Sequence, residues 1–201
     1  FLGDAVTDEG VDYTALLTRR ASLDAHLESV AAADVQAFSR SEQVALYVNA
    51  YNGYTLKTIL DEWPVKSIRD LDGGQVWKRR QFTVGTVSMT LDAMENQHAR
   101  TLADGRIHAV VNCASAGCPP LPPKPIVPVG LEAQLDAYAA RWVRTNGLVV
   151  VNEGQVTLSK IFDWYGDDFT SFSRGDIDGV QGKKVAALWF CARYAPEPLA
   201  T

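Results

Sequence analysis

The order of elements along this 201-residue chain predicts an α+β domain with helices flanking a small, mainly antiparallel sheet. Helical periodicity dominates both ends, and two hairpin signals and one strongly apolar strand pattern lie between them. A doubly wound parallel sheet would instead alternate strands and helices along the whole chain. At 47% hydrophobic and 21% charged residues, the chain can bury a sizeable core. No stretch has the composition of a linker and no segment repeats, so residues 1–201 read as one domain.

Taken in order, Val11 to Ala33 predicts a helix whose apolar stripe includes Tyr13, Leu16, Leu23, Leu27 and Val30. A second helix is expected from Glu42 to Leu60. Ser39 and Glu42 are spaced as a capping box, and Pro64 lies just beyond the helix end. Gln81–Val84 and Val87–Met89 alternate around Gly85-Thr86 as a hairpin. Thr90 is placed to cap a helix from Leu91 to Leu102. Arg106 to Cys113 is the best strand pattern in the chain, and the prolines from Pro119 to Pro128 exclude regular structure after it. A helix over Leu131–Thr145 follows. A second hairpin is expected from Leu148–Val151 and Val156–Leu158, turning at Glu153-Gly154, and helices over Lys160–Phe172 and Lys183–Tyr194 close the chain.

Composition excludes some functions. The net charge of -5 offers no field for nucleic acid, and the one basic cluster, Lys78-Arg79-Arg80, reads as a solvated loop. No apolar run approaches the ~20 residues of a membrane-spanning helix. A chain beginning at Phe1 reads as a trimmed product that a signal peptide could have preceded. Three cysteines are an odd number, so they cannot form a fully paired disulfide framework.

Three sets of polar residues could carry chemistry. Asn49 and Asn52 share one face of an otherwise apolar helix, so each amide either ties the helix to neighbouring backbone or lines a pocket. Glu95 and His98 also share a face, but a metal site built on such a pair needs further carboxylates, and none is spaced to supply them; no metal and no cofactor are expected. The third set is Arg106 to Pro120, where His108 sits in the strand pattern, Cys113 ends it and Cys118 follows in a Gly/Pro-rich loop. These can be a core histidine with two structural cysteines, or a Cys113–Cys118 pair closing a short loop. They can also be a thiol nucleophile with His108 as base and a carboxylate to orient it. A straight strand would hold His108 and Cys113 roughly 16 Å apart on opposite faces. In an antiparallel helix–strand pair Glu95 would come level with His108. Phe162, Trp164, Tyr165 and Phe169 read as core anchors.

Four motifs in order, Tyr47-Val-Asn-Ala-Tyr-Asn52, Leu91-Asp-Ala-Met-Glu-Asn96 with Arg100, Arg106 to Leu121 and Leu158 to Phe169, resemble the family called Domain of Unknown Function 547. Gly10-Val-Asp-Tyr13 is similar to the start of its bacterial members. The resemblance implies a papain-like or transglutaminase-like fold and a Glu-His-Cys triad, here Glu95, His108 and Cys113 or Cys118. It also implies export, or a lipid anchor upstream of Phe1. Where many members carry His after the glutamate this chain has Asn96, and plant relatives often lack the histidine and the second cysteine. The resulting expectation is a thiol hydrolase or acyl transferase acting on an amide or peptide bond. Cys118 is the preferred nucleophile because a loop residue after Gly117 can be exposed, with Cys113 second. His108 is then the base, Glu95 orients it, and Asn49 and Asn52 contact substrate. The alternative is a catalytically silent interaction or ligand-binding module on the same fold.

Overall fold

A computed structural model describes residues 1–115, 117–152 and 155–195. The first expected helix forms as two, α1 (Tyr13–Leu17) and α2 (Arg20–Ala31). The break falls at Arg19, whose guanidinium turns away to bond the carbonyls of Phe1 and Leu2 and the carboxylate of Asp4. The central helix α3 (Arg40–Asp61) carries the full capping box: Ser39 Oγ accepts from the Glu42 N–H, and the Ser39 N–H donates to Glu42 Oε2 at 2.8 Å. Most of its residues from Val44 to Leu60 are buried, so α3 is the axis on which the rest packs.

After a short α4 (Val76–Arg79), β1 (Phe82–Val84) pairs antiparallel with β2 (Val87–Met89) in the register Phe82↔Met89 and Val84↔Val87. Gly85 turns the hairpin at φ 53°, where its bare Cα lies close to Val35 and the Ala33 carbonyl; a Cβ would collide with both. Thr90 Oγ1 accepts from the Ala93 N–H and opens a continuous run of helix, α5 (Leu91–Ala93) and α6 (Arg100–Leu102) joined by a π-helical turn at Met94–Ala99. Such turns shift the side-chain phase within a helix and are common at functional sites. Here the turn carries Glu95, Asn96 and His98.

The expected strand from Arg106 to Cys113 does not form. Gly105–Ala109 is a 3₁₀ turn, and among the described residues no strand forms between it and the prolines. Two contacts explain this. Gly105 packs so tightly on Phe169 and the Asp168 carbonyl that the chain enters in a turn, with Asp104 accepting from the Arg106 N–H. Further on, the Asn52 amide donates to the Val110 carbonyl at 2.7 Å and accepts from the Asn112 N–H at 2.8 Å. A side chain thus satisfies the backbone that a neighbouring strand would have satisfied.

The chain resumes with α7 (Leu131–Trp142), β3 (Leu148–Asn152) antiparallel to β4 (Gln155–Leu158), α8 (Ile161–Trp164), a 3₁₀ turn at Gly166–Phe172, and α9 (Lys183–Tyr194). The expected turn residues Glu153-Gly154 lie outside the described residues. Strands in the described residues form two separate two-stranded sheets; with the Arg106–Cys113 pattern coiled into a turn, no central strand joins them into the single flanked sheet that was expected.

The core has one large aliphatic cluster around α3 and a second, aromatic one in which Trp142, Phe162, Phe169 and Phe190 pack ring on ring. Ile107 belongs to the first cluster and Ala109 to the second, so the turn that carries His108 bridges them.

Candidate functional site

His108 is only 1% exposed, and its ring lies between Tyr165 and Phe169 with centroids 4.4 and 5.6 Å away. Its Nε2 is 2.8 Å from Asp168 Oδ2. Asp168 in turn takes a two-pronged grip from Arg100, Nε to Oδ2 at 2.7 Å and Nη2 to Oδ1 at 2.9 Å. Burial alone would raise the Asp168 pKa, but the hydrogen bonds from His108 and Arg100 prevail and hold it well below the ordinary carboxylate range. An ionised carboxylate can only accept, so His108 donates to Asp168 from Nε2. Asn96 completes the frame: its Oδ1 accepts from Arg100 Nη1 and its amide donates to the Asp92 carbonyl. The Arg100 guanidinium also sits 4.5 Å from the Tyr165 ring centroid.

Glu95 was expected to orient His108. It does not: the carboxylate on the imidazole is Asp168. The π-helical turn directs Glu95 to the phenols of Tyr51 and Tyr165, whose pKa values rise through burial first and the facing Glu95 carboxylate second. His98 does not join Glu95 either. It stacks on Tyr47 at 4.3 Å, and burial lowers its pKa. Among the described residues no group of three His, Cys, Asp or Glu side chains is arranged to hold a metal ion.

Cys113 and Cys118, the two candidate nucleophiles, are joined in a disulfide. The loop it closes is pinned from within, Asn112 accepting from the Ala114 N–H and donating to the Pro119 carbonyl, and from outside, Asn146 donating to the Cys118 carbonyl. Cys191 is buried, and desolvation pushes its thiol up to about 12. No described cysteine is therefore positioned as a thiolate.

Asn49 and Asn52 were expected to contact substrate. Both are committed to backbone, Asn49 bonding the N–H and carbonyl of Ile126 and Asn52 those of Asn112 and Val110. They nevertheless border a cleft of about 360 Å³ between α2, α3 and the proline segment, with Leu23, Leu56 and Pro122 among its apolar lining and His26 and Lys124 among its polar lining. This is within the size range of small-molecule sites.

Residues that the sequence reading left out of the site are Asp168, Arg100 and Tyr165. The available signal was the pair Asp167-Asp168 set among Trp164, Tyr165 and Phe169, which was read only as an aromatic core anchor. Phe162 and Phe169 do anchor the core, but Tyr165 stacks on His108 and Trp164 is 63% exposed.

Residues 35–143, more than half of the chain, match the family model described as Protein of unknown function, DUF547, and the chain belongs to that family. Asp168 lies beyond the matched residues. No curated protein and no solved structure matches the chain. No helix among the described residues is long and apolar enough to cross a membrane.

Proposed function

We propose that this chain is a ligand-binding domain on a papain-like α+β scaffold, without thiol catalysis while Cys113 and Cys118 are paired. The observation that carries the reading is the disulfide: it consumes both sulfurs that could act as nucleophile. The His108–Asp168–Arg100 cluster then acts as a partly buried polar strut between the two halves of the core. The cleft beside Asn49 and Asn52 is the seat for the ligand. A disulfide also fits an oxidising compartment, which supports the exported location that the family resemblance implies.

A second reading has one observation in its favour. An imidazole oriented by a carboxylate is what a thiol enzyme needs, and His108 has it in Asp168. On that reading the reduced protein is a hydrolase or acyl transferase acting on peptide or amide bonds. The two are separated by alkylating native protein with iodoacetamide before and after a thiol reductant. The binding-domain reading expects slow labelling in both states and no peptide hydrolysis. Fast labelling of Cys113 or Cys118 after reduction, lost in His108→Ala, would establish the enzyme instead.

A further inference from the structure

The cleft has a chemical character that narrows its ligand. The chain as a whole is acidic, with 24 Asp and Glu against 19 Lys and Arg. Yet no described residue lining the cleft carries a carboxylate, and Lys124 on its rim makes no ion pair among the described residues. An uncompensated ammonium at the edge of an apolar cleft is complementary to an anion whose remaining surface is apolar.

The floor is apolar, lined by Leu23 of α2 and by Gly53 and Leu56 of α3. Gly53 lets the two helices approach closely, since a Cβ there would stand 3.0 Å from Leu27 Cδ2 and 3.7 Å from Leu23 Cδ1. The wall is a run of prolines, Pro122, Pro123 and Pro125, that offers carbonyl acceptors and, apart from Lys124, no N–H donors. The carbonyls from Pro122 to Pro125 accept no hydrogen bond among the described residues, whereas the two that bound this run are taken, Leu121 by Arg141 and Ile126 by Asn49. The wall is thus fixed at both ends before a ligand arrives, which lowers the ordering cost of binding.

A ligand that answers all three features has an anionic group, an apolar side chain and an N–H to donate. We infer that the cleft takes the C-terminal residue of a peptide, with its carboxylate on Lys124, its apolar side chain on the Leu23–Leu56 floor and its amide N–H on the proline carbonyls. This rests on the binding-domain reading. A fatty acid would supply the anion and the apolar body but no N–H, and an internal peptide segment would supply no carboxylate.

The test is an NMR titration of the ¹⁵N-labelled protein, its disulfide verified by mass, with N-acetyl-leucine, N-acetyl-leucinamide and octanoate. N-acetyl-leucine should shift the amides of Leu23, Gly53 and Lys124 and bind about fivefold more tightly than the amide, the scale of one partly solvated charge pair. It should also bind more tightly than octanoate. Lys124→Gln should remove the preference for acid over amide without moving the spectrum of the free protein beyond its neighbours. Equal binding of acid and amide, tighter binding of octanoate, or shifts confined to another surface would overturn the assignment. Cleavage of a peptide by the same sample would defeat the binding-domain reading alone. Absence of shifts in an intact, inactive sample would defeat the cleft assignment alone.

Discussion

His108 Nε2 and Asp168 Oδ2 meet at 2.8 Å across 60 residues of chain, and the Arg100 guanidinium closes on the same carboxylate from the other side. The three come from different elements: a 3₁₀ turn after Gly105, a second after Tyr165, and the helical run that ends at Leu102. Their meeting point lies where the aliphatic and aromatic clusters touch, so the pair joins the two parts of the core.

Replacing Asp168 by Asn should therefore destabilise the fold. Arg100 and His108 would lose the charge they share, and because Asp168 keeps about a fifth of its surface in water the loss is set at about 1–3 kcal/mol rather than the larger figure for a fully buried pair. Urea denaturation at neutral pH reads it. An unchanged midpoint would show that the cluster carries no stability.

The same carboxylate sets a pH dependence. Its folded pKa is depressed, so its contribution is complete above the ordinary value near 3.9 and is lost as pH falls through the lowered one. Stability should fall with acid below about pH 4 more steeply in the native chain than in Asp168→Asn. Parallel curves would contradict the assignment.

Asn52→Leu should cost about 2–4 kcal/mol, because it strands the Val110 carbonyl and the Asn112 N–H in the interior. Thermal unfolding is the readout. A variant as stable as the parent would mean that the loop re-pairs these groups elsewhere.

The helices and the first hairpin were legible because their signals are local. The capping box at Ser39, the Thr90 cap and the Gly85 turn each act within three or four residues, and each is found in place. The Arg106–Cys113 segment was misread because its apolar run meets the period of a buried strand, while its conformation is set by Asn52, more than fifty residues earlier, and by Phe169, some sixty residues later. The same distance hid Asp168. Glu95 was the nearer carboxylate in sequence, and a regular helix beside a strand would have brought it level with His108. The π-helical turn and the absent strand removed both premises. Pairing of Cys113 with Cys118 was one of several readings of their spacing, and nothing local distinguished it from a free thiol.

Removing the disulfide through Cys113→Ser with Cys118→Ser should lower stability by about 2 kcal/mol, the value for so short a closed loop. Asn112 and Asn146 still hold the loop, so the fold should survive. Complete unfolding at room temperature would show that the loop depends on the covalent link alone.

The most direct test of the central claim is to denature the protein without reductant, alkylate it with excess iodoacetamide and weigh the intact chain. Of its three cysteines only Cys191 is free, so a single adduct is predicted, with Cys113 and Cys118 recovered as one linked peptide. Three adducts, or a link between any other pair, would contradict the account and return Cys118 and Cys113 to candidacy as nucleophiles.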